Sequence, residues 1–239
     1  MIREAMDRLI ELAAPNIHEE LGITYSDKKL IAVDAVRRAE PFEICTLSGL
    51  AQYIKDVKEV DPHDYIVHVR DPRTVVMMSE LDADRKRETL IKAYVPRPIF
   101  EFGRYQSVEA FTIGVQSMFV DDNKTDKALV LKFSGSVTAG SVTSYKDDGV
   151  TQKATIKQGV ASKTEAIIPS PCKLKPYRTF TEVDQPASDF IFRMREGSSG
   201  SVEAALFEAD GGAWKNEAMN NIKEYLEKEL SETGCVVIA

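Results

Sequence analysis

The sequence predicts an α+β chain, with an antiparallel β-rich C-terminal region and flanking amphipathic helices. Apolar residues recur at helical spacing over Ile2–Leu12 and Ala213–Leu230, whereas alternating apolar and polar residues crowd the stretch from Ala128 to Met194. The resulting order of helix, helix, hairpin, helix, many strands and helix lacks the regular alternation of a doubly wound parallel sheet.

In the first helix Ile2, Met6, Leu9, Ile10 and Ala13 form the apolar stripe, Arg3, Glu4, Asp7, Arg8 and Glu11 the polar one, and Pro15 stops the pattern. A second helix is predicted over Leu47–Val57, with Thr46 or Ser48 as its cap. Tyr65–Arg70 and Thr74–Met78 read as two strands of a hairpin turned by Asp71-Pro72-Arg73. Val95-Pro96-Arg97-Pro98 forbids a helix across it and marks a boundary. It separates an N-terminal α/β region, 1–95, from a β-rich region, 99–239, unless the two form one compact domain.

Ser107 reads as the N-cap of a helix ending near Phe119, and Asp121–Asp126 as a polar turn. Four alternating sets then predict strands: Leu129/Leu131/Phe133, Ala154/Ile156, Thr164/Ala166/Ile168 and Phe190/Phe192/Met194. Asp147-Asp148-Gly149 supplies a hairpin turn between two of them. Val202–Phe207 is a further strand, Gly211-Gly212 a break, and the closing helix aligns Trp214, Ala218, Ile222, Leu226 and Leu230 on one face. Gly234 ends it, leaving Val236–Ile238 as a last strand.

At 239 residues with 43% hydrophobic content, the chain is long enough to bury a substantial core, which excludes disordered and collagen-like classes. A net charge of -7 argues against a strongly basic polyanion binder. Cys45, Cys172 and Cys235 are widely spaced and odd in number, suggesting neither a disulfide framework nor a zinc ribbon. Together with an N-terminus that does not read as a signal peptide, they predict a reducing cytoplasm and no membrane partner.

Pro176-Tyr177-Arg178-Thr179-Phe180-Thr181-Glu182-Val183-Asp184-Gln185-Pro186, leading into Phe190–Arg195, resembles a segment of the YfdQ-like family of phage and prophage proteins. Leu206–Trp214 and Asp147–Gln152 are similar to two further stretches, so the likeness covers most of residues 99–230. It implies a phage or prophage origin and a bacterial host cytoplasm, without an activity or a catalytic residue to carry over.

No catalytic or cofactor motif is intact. His18, His63 and His68 offer no i, i+4 pair for zinc. Gly135–Ser141 mimics a phosphate-binding loop, but Ser141 stands where the lysine belongs. Asp121, Asn123 and Thr125 begin a calcium-loop spacing that fails at Asp126 and Lys132. Glu208 and Asp210 form the best acidic pair, two residues apart ahead of a helix. They could hold a metal or, with Arg193, a polar ligand, or Asp210 could simply cap the helix while Glu208 sits in the turn.

Charge is strongly segregated. Residues 150–180 carry Lys153, Lys157, Lys163, Lys173, Lys175 and Arg178 against Glu165 alone, whereas 181–239 carry five cations against twelve carboxylates. Three readings compete for the basic stretch. Its lysines form a solvated edge that discourages aggregation; with Tyr177 and Phe180 they form a groove for single-stranded nucleic acid; or they meet the acidic region of the next subunit in a ring or shell. Arg193 and Arg195 are the further candidate anion contacts. The expectation is a non-enzymatic homo-oligomer without a cofactor, the alternative a single-stranded nucleic-acid-binding accessory of phage replication or recombination.

Overall fold

The computed structural model describes residues 2–20, 22–28, 38–56, 61, 64–82, 84–136, 142–147, 152–158, 162–167, 170–197 and 200–239. His63, the Asp148-Gly149 turn, Ser198-Ser199 and residues 137–141 lie outside them. In chain order the elements are α1 (Ile2–Ala13), β1 (Ile17–Glu20), β2 (Ile23–Ser26), β3 (Phe42–Ile44), α2 (Leu47–Asp56), β4 (Tyr65–Asp71) and β5 (Thr74–Ser79). They continue with β6 (Thr89–Tyr94), β7 (Gln106–Ser107), α3 (Val108–Met118), α4 (Lys127–Ser136), β8 (Val142–Asp147), β9 (Gln152–Gln158) and β10 (Ser162–Ile167). β11 (Cys172–Leu174), β12 (Ser188–Glu196), β13 (Val202–Glu208), α5 (Trp214–Glu229) and β14 (Val236–Ile238) complete the α+β architecture. Two units divide the chain, Met1–Arg38 and Ala39–Ala239.

In the first unit, β1 and β2 form an antiparallel hairpin, closed where the Asn16 amide donates to Asp27 Oδ2 at 2.8 Å. Lys28 Nζ donates to the carbonyls of Leu12 and Ala14, both at 3.0 Å, satisfying acceptors at the end of α1 with a cation.

Five strands of the second unit form one mixed sheet in the order β14-β4-β5-β6-β3. The predicted hairpin is its centre, and Asp71 Oδ1 accepts from the Arg73 amide at 2.8 Å in the turn. β14 and β3 add in parallel at the two edges. α2 and α5 bring Leu50, Ile54, Ile222 and Leu226 into the core with Val67 and Ile91. The cap of α2 is partly the predicted one: Thr46 Oγ1 accepts from Gly49 N at 3.2 Å, and Glu182 Oε1 accepts from Leu47 N at 2.8 Å.

A second core lies on the antiparallel sheet β11-β12-β13-β7 and is rich in phenylalanine. Phe111 stacks on Phe192 with centroids 5.3 Å apart, and Phe102 on Phe190 at 5.1 Å. α3 begins as predicted, with Ser107 Oγ accepting from Ala110 N at 3.3 Å. The strand predicted at Leu129/Leu131/Phe133 is instead α4. Lys127, Val130, Phe133 and Ser134 are its buried residues, a helical period that overrides the alternation, and Leu129 is exposed. Lys127 Nζ reaches the Phe119 carbonyl at 2.7 Å and the Gln116 carbonyl at 3.2 Å, so this buried cation serves the C-terminal end of α3.

The segment between Tyr177 and Gln185 belongs to both cores. Phe180 and Val183 enter the first, while Arg178 lies against Phe102 and Phe190 at the second. Gln185 fixes its shape, its Oε1 accepting from the amides of Arg178 and Thr179 at 3.0 and 3.2 Å and its Nε2 donating to Phe180 O at 2.8 Å. β8, β9 and β10 form a separate antiparallel sheet with β9 in the middle.

Candidate functional site

The two carboxylates singled out by sequence converge on Arg178. Glu208, the last residue of β13, accepts from Arg178 Nη1 at 2.7 Å. Arg178 Nη2 donates to Ser188 Oγ at 2.5 Å, and Ser188 Oγ donates to Asp210 Oδ2 at 2.6 Å. Asp210 Oδ1 also accepts from Gly212 N at 3.0 Å, which pins the turn ahead of α5. The N-cap position of that helix is Ala213, without a side-chain bond of its own, and the Asp210 carboxylate also draws on the backbone N–H of Trp214 in the first turn. Gly211 and Gly212, at φ 64° and 84°, make the reversal that lets strand, turn and helix meet around one guanidinium.

Arg178 is only 1% exposed, and its guanidinium lies 4.0 Å from the Trp214 ring centroid. Burial lowers the arginine's pKa, against the opposing pull of Glu208 and Asp210. Burial alone would raise that of Asp210, but the Ser188 hydroxyl, the Gly212 amide and the Arg178 charge hold it below the usual carboxylate range. Arg178 Nε and Trp214 Nε1 are buried donors without an acceptor. A guanidinium so enclosed neither exchanges a proton near neutrality nor reaches a solvent-borne anion; it joins a sheet, a turn and a helix.

The other cations of the basic stretch divide into two groups. Lys175 is spent internally, 3.1 and 3.2 Å from the two oxygens of Asp184 and 3.5 Å from Asp122. Burial would lower its pKa, and the two carboxylates raise it further than burial depresses it. Tyr177 is half-buried with Arg97 over its ring at 5.8 Å, and Phe180 is in the core, so the rings proposed for base stacking are not a free surface. Arg193 is half-buried and 3.3 Å from Ser170 Oγ, and Arg195 pairs with Glu203 at 2.8 Å while covering Tyr105 at 3.9 Å. Lys173 is exposed.

Lys153, Lys157 and Lys163 fall on the β8–β10 sheet, where the backbone register is informative. Lys157 stands opposite Lys163, and Lys153 opposite Lys146. Alternation along β9 and direct pairing across it put these four positions on one face of the sheet, with Glu165 the single acidic position among them. Lys146 lies outside the basic stretch 150–180, and only the register adds it to this face.

The chain matches no protein-family model, no curated protein and no solved structure.

Among the described residues, no group of three or more His, Cys, Asp or Glu side chains is placed to hold a metal ion. Nor, among the described residues, is any helix long and apolar enough to cross a membrane. An apolar groove of about 450 Å³ runs along α3, with Ile99, Phe100, Ile113 and Met118 in its lining.

Proposed function

We propose that this chain is a non-enzymatic phage or prophage protein that assembles with copies of itself into a ring or shell. The observation that carries the reading is the four-lysine face of the β8–β10 sheet, set in a chain of net charge -7. Each copy also offers the counterpart, because Asp189, Glu196, Glu217 and Glu224 are exposed carboxylates. A basic face on one copy against exposed carboxylates on the next is a heterologous contact, which closes into a ring when the rotation allows. Light scattering after size exclusion tests this: a multimer whose mass falls as salt rises is expected. A monomer of unchanged mass from low to high salt at micromolar concentration sinks the reading.

The same lysine face supports a second reading, a single-stranded nucleic-acid-binding accessory of phage replication or recombination. Anisotropy with a short labelled strand is expected to show affinity that falls steeply with salt and weakens in Lys153→Glu/Lys157→Glu. Absence of binding at low salt removes it. With Phe180 in the core and Tyr177 half-buried, the two rings assigned to base stacking do not support this reading.

A further inference from the structure

Among the described helices α1 is the most completely divided into an apolar and a charged side. At 100° per residue, Ile2, Ala5, Met6, Leu9, Ile10, Leu12 and Ala13 occupy an arc of about 160°, and every charged residue lies outside it. Among the described residues of Met1–Arg38 none covers this face: Ile2 is 81% and Leu12 68% exposed, and Met6, Leu9 and Ile10 are exposed too. Five large apolar side chains on one short helix form a contiguous patch of the kind that marks an interaction surface.

The charges bordering that face say what covers it. Arg3 and Asp7 follow one edge; Glu4 and Arg8 follow the other. An identical helix laid alongside in parallel puts Arg3 beside Glu4 and Asp7 beside Arg8, and an antiparallel one puts Arg3 beside Asp7 and Glu4 beside Arg8. Every such neighbour has opposite charge, so the rim is complementary to itself. A membrane surface fits less well, since helices lying on lipid carry an excess of Lys and Arg on the polar face, whereas here two arginines face Glu4, Asp7 and Glu11. The arc is also wider than the seam of a two-stranded coil and suits a bundle.

We infer that α1 is a homotypic association helix, its apolar face covered by the α1 helices of neighbouring copies. The inference rests on the self-assembly reading and adds a second, apolar contact to the electrostatic one.

Two full-length charge variants test it by sedimentation velocity. Arg3→Glu/Arg8→Glu makes the rim wholly acidic and Glu4→Lys/Asp7→Lys makes it wholly basic. Each alone is expected to associate roughly tenfold more weakly than the wild type, and an equimolar mixture to restore the heavy species. At about 1 M salt the wild type retains the α1 contact, because apolar burial is not screened. If both variants associate like the wild type, or the mixture fails to recover, α1 is covered by something other than its own copies. Assembly in that case, lost at high salt, leaves the self-assembly reading standing without this interface. A wild type that is monomeric throughout overturns both, and flotation of the wild type with phosphatidylglycerol vesicles overturns the choice of occupant.

Discussion

Arg178 lays its guanidinium 4.0 Å from the Trp214 ring centroid, a face-to-cation contact between the β11–β12 connection, which packs into both cores, and the first residue of a helix. Glu208 completes the enclosure from the end of β13. Removing the cation takes away the ion pair, the hydrogen bond to Ser188 and packing against Phe102, Phe190 and Trp214 at once. Arg178→Met is therefore expected to cost about 3 kcal/mol in denaturant unfolding, near the lower end for a broken buried pair because Glu208 can rehydrate. Glu208→Gln, which strands the buried charge, is expected to destabilise comparably, and the double variant to cost less than the two single losses added together. Additive losses would show that the pair does not act as a unit.

Asp210 links stability to pH. Its carboxyl has a lower pKa in the folded chain than in the unfolded one, held down by the Ser188, Gly212 and Arg178 interactions against the effect of burial. Its contribution is therefore complete above the unfolded value of about 4 and is lost as pH falls through the folded value. Thermal midpoints of Asp210→Asn are expected to decline less steeply than the wild type's between about pH 5 and 3. Parallel curves for the two proteins would remove this link.

Glu182 couples distant parts of the chain through one bond, accepting from the Leu47 amide across 135 residues. It supplies a negative charge and an acceptor where α2 has free donors. Glu182→Ala is expected to cost about 1 kcal/mol. Glu182→Gln, which keeps an acceptor and loses the charge, should recover part of it, and a Gln variant no better than Ala would assign the effect to packing.

The three thiols should react in sequence. Cys45 is exposed, whereas burial pushes the Cys172 thiol up to about 12 and also raises that of half-buried Cys235. A disulfide reagent near pH 8 is expected to label Cys45 in a fast phase and Cys172 only on unfolding. Rapid loss of all three thiols in the native protein would contradict the packing around β11.

The elements legible in the sequence were those whose period had no rival. The β4–β5 hairpin sits around Asp71-Pro72-Arg73, and α5 buries Ala218, Ile222, Leu226 and Leu230 as the spacing required. α4 was not legible, because its sequence satisfies two periods and only contact with the second core decides between them. β3 and β11 are three residues long, too short for a pattern. At the candidate site Glu208 and Asp210 are visible in the sequence as a pair, whereas charge alone places Arg178 with its lysine neighbours. Its surroundings in sequence, Tyr177, Phe180 and Pro186, were the available sign of an interior position. Its partner lies 30 residues away, beyond any local pattern.

The order of strands also sets a timetable. Cys235 reaches the Tyr65 carbonyl across 170 residues, and β14 completes the sheet beside β4. A ribosome adding roughly 5–20 residues per second needs on the order of ten to thirty seconds to make the intervening chain. Through that interval β4 and β5 are present without Ile222, Leu226 and Val237, which later cover them. The nascent hairpin is thus a client for whatever shields apolar strands in the cell, and its exposure time is set by translation rather than by the speed of folding.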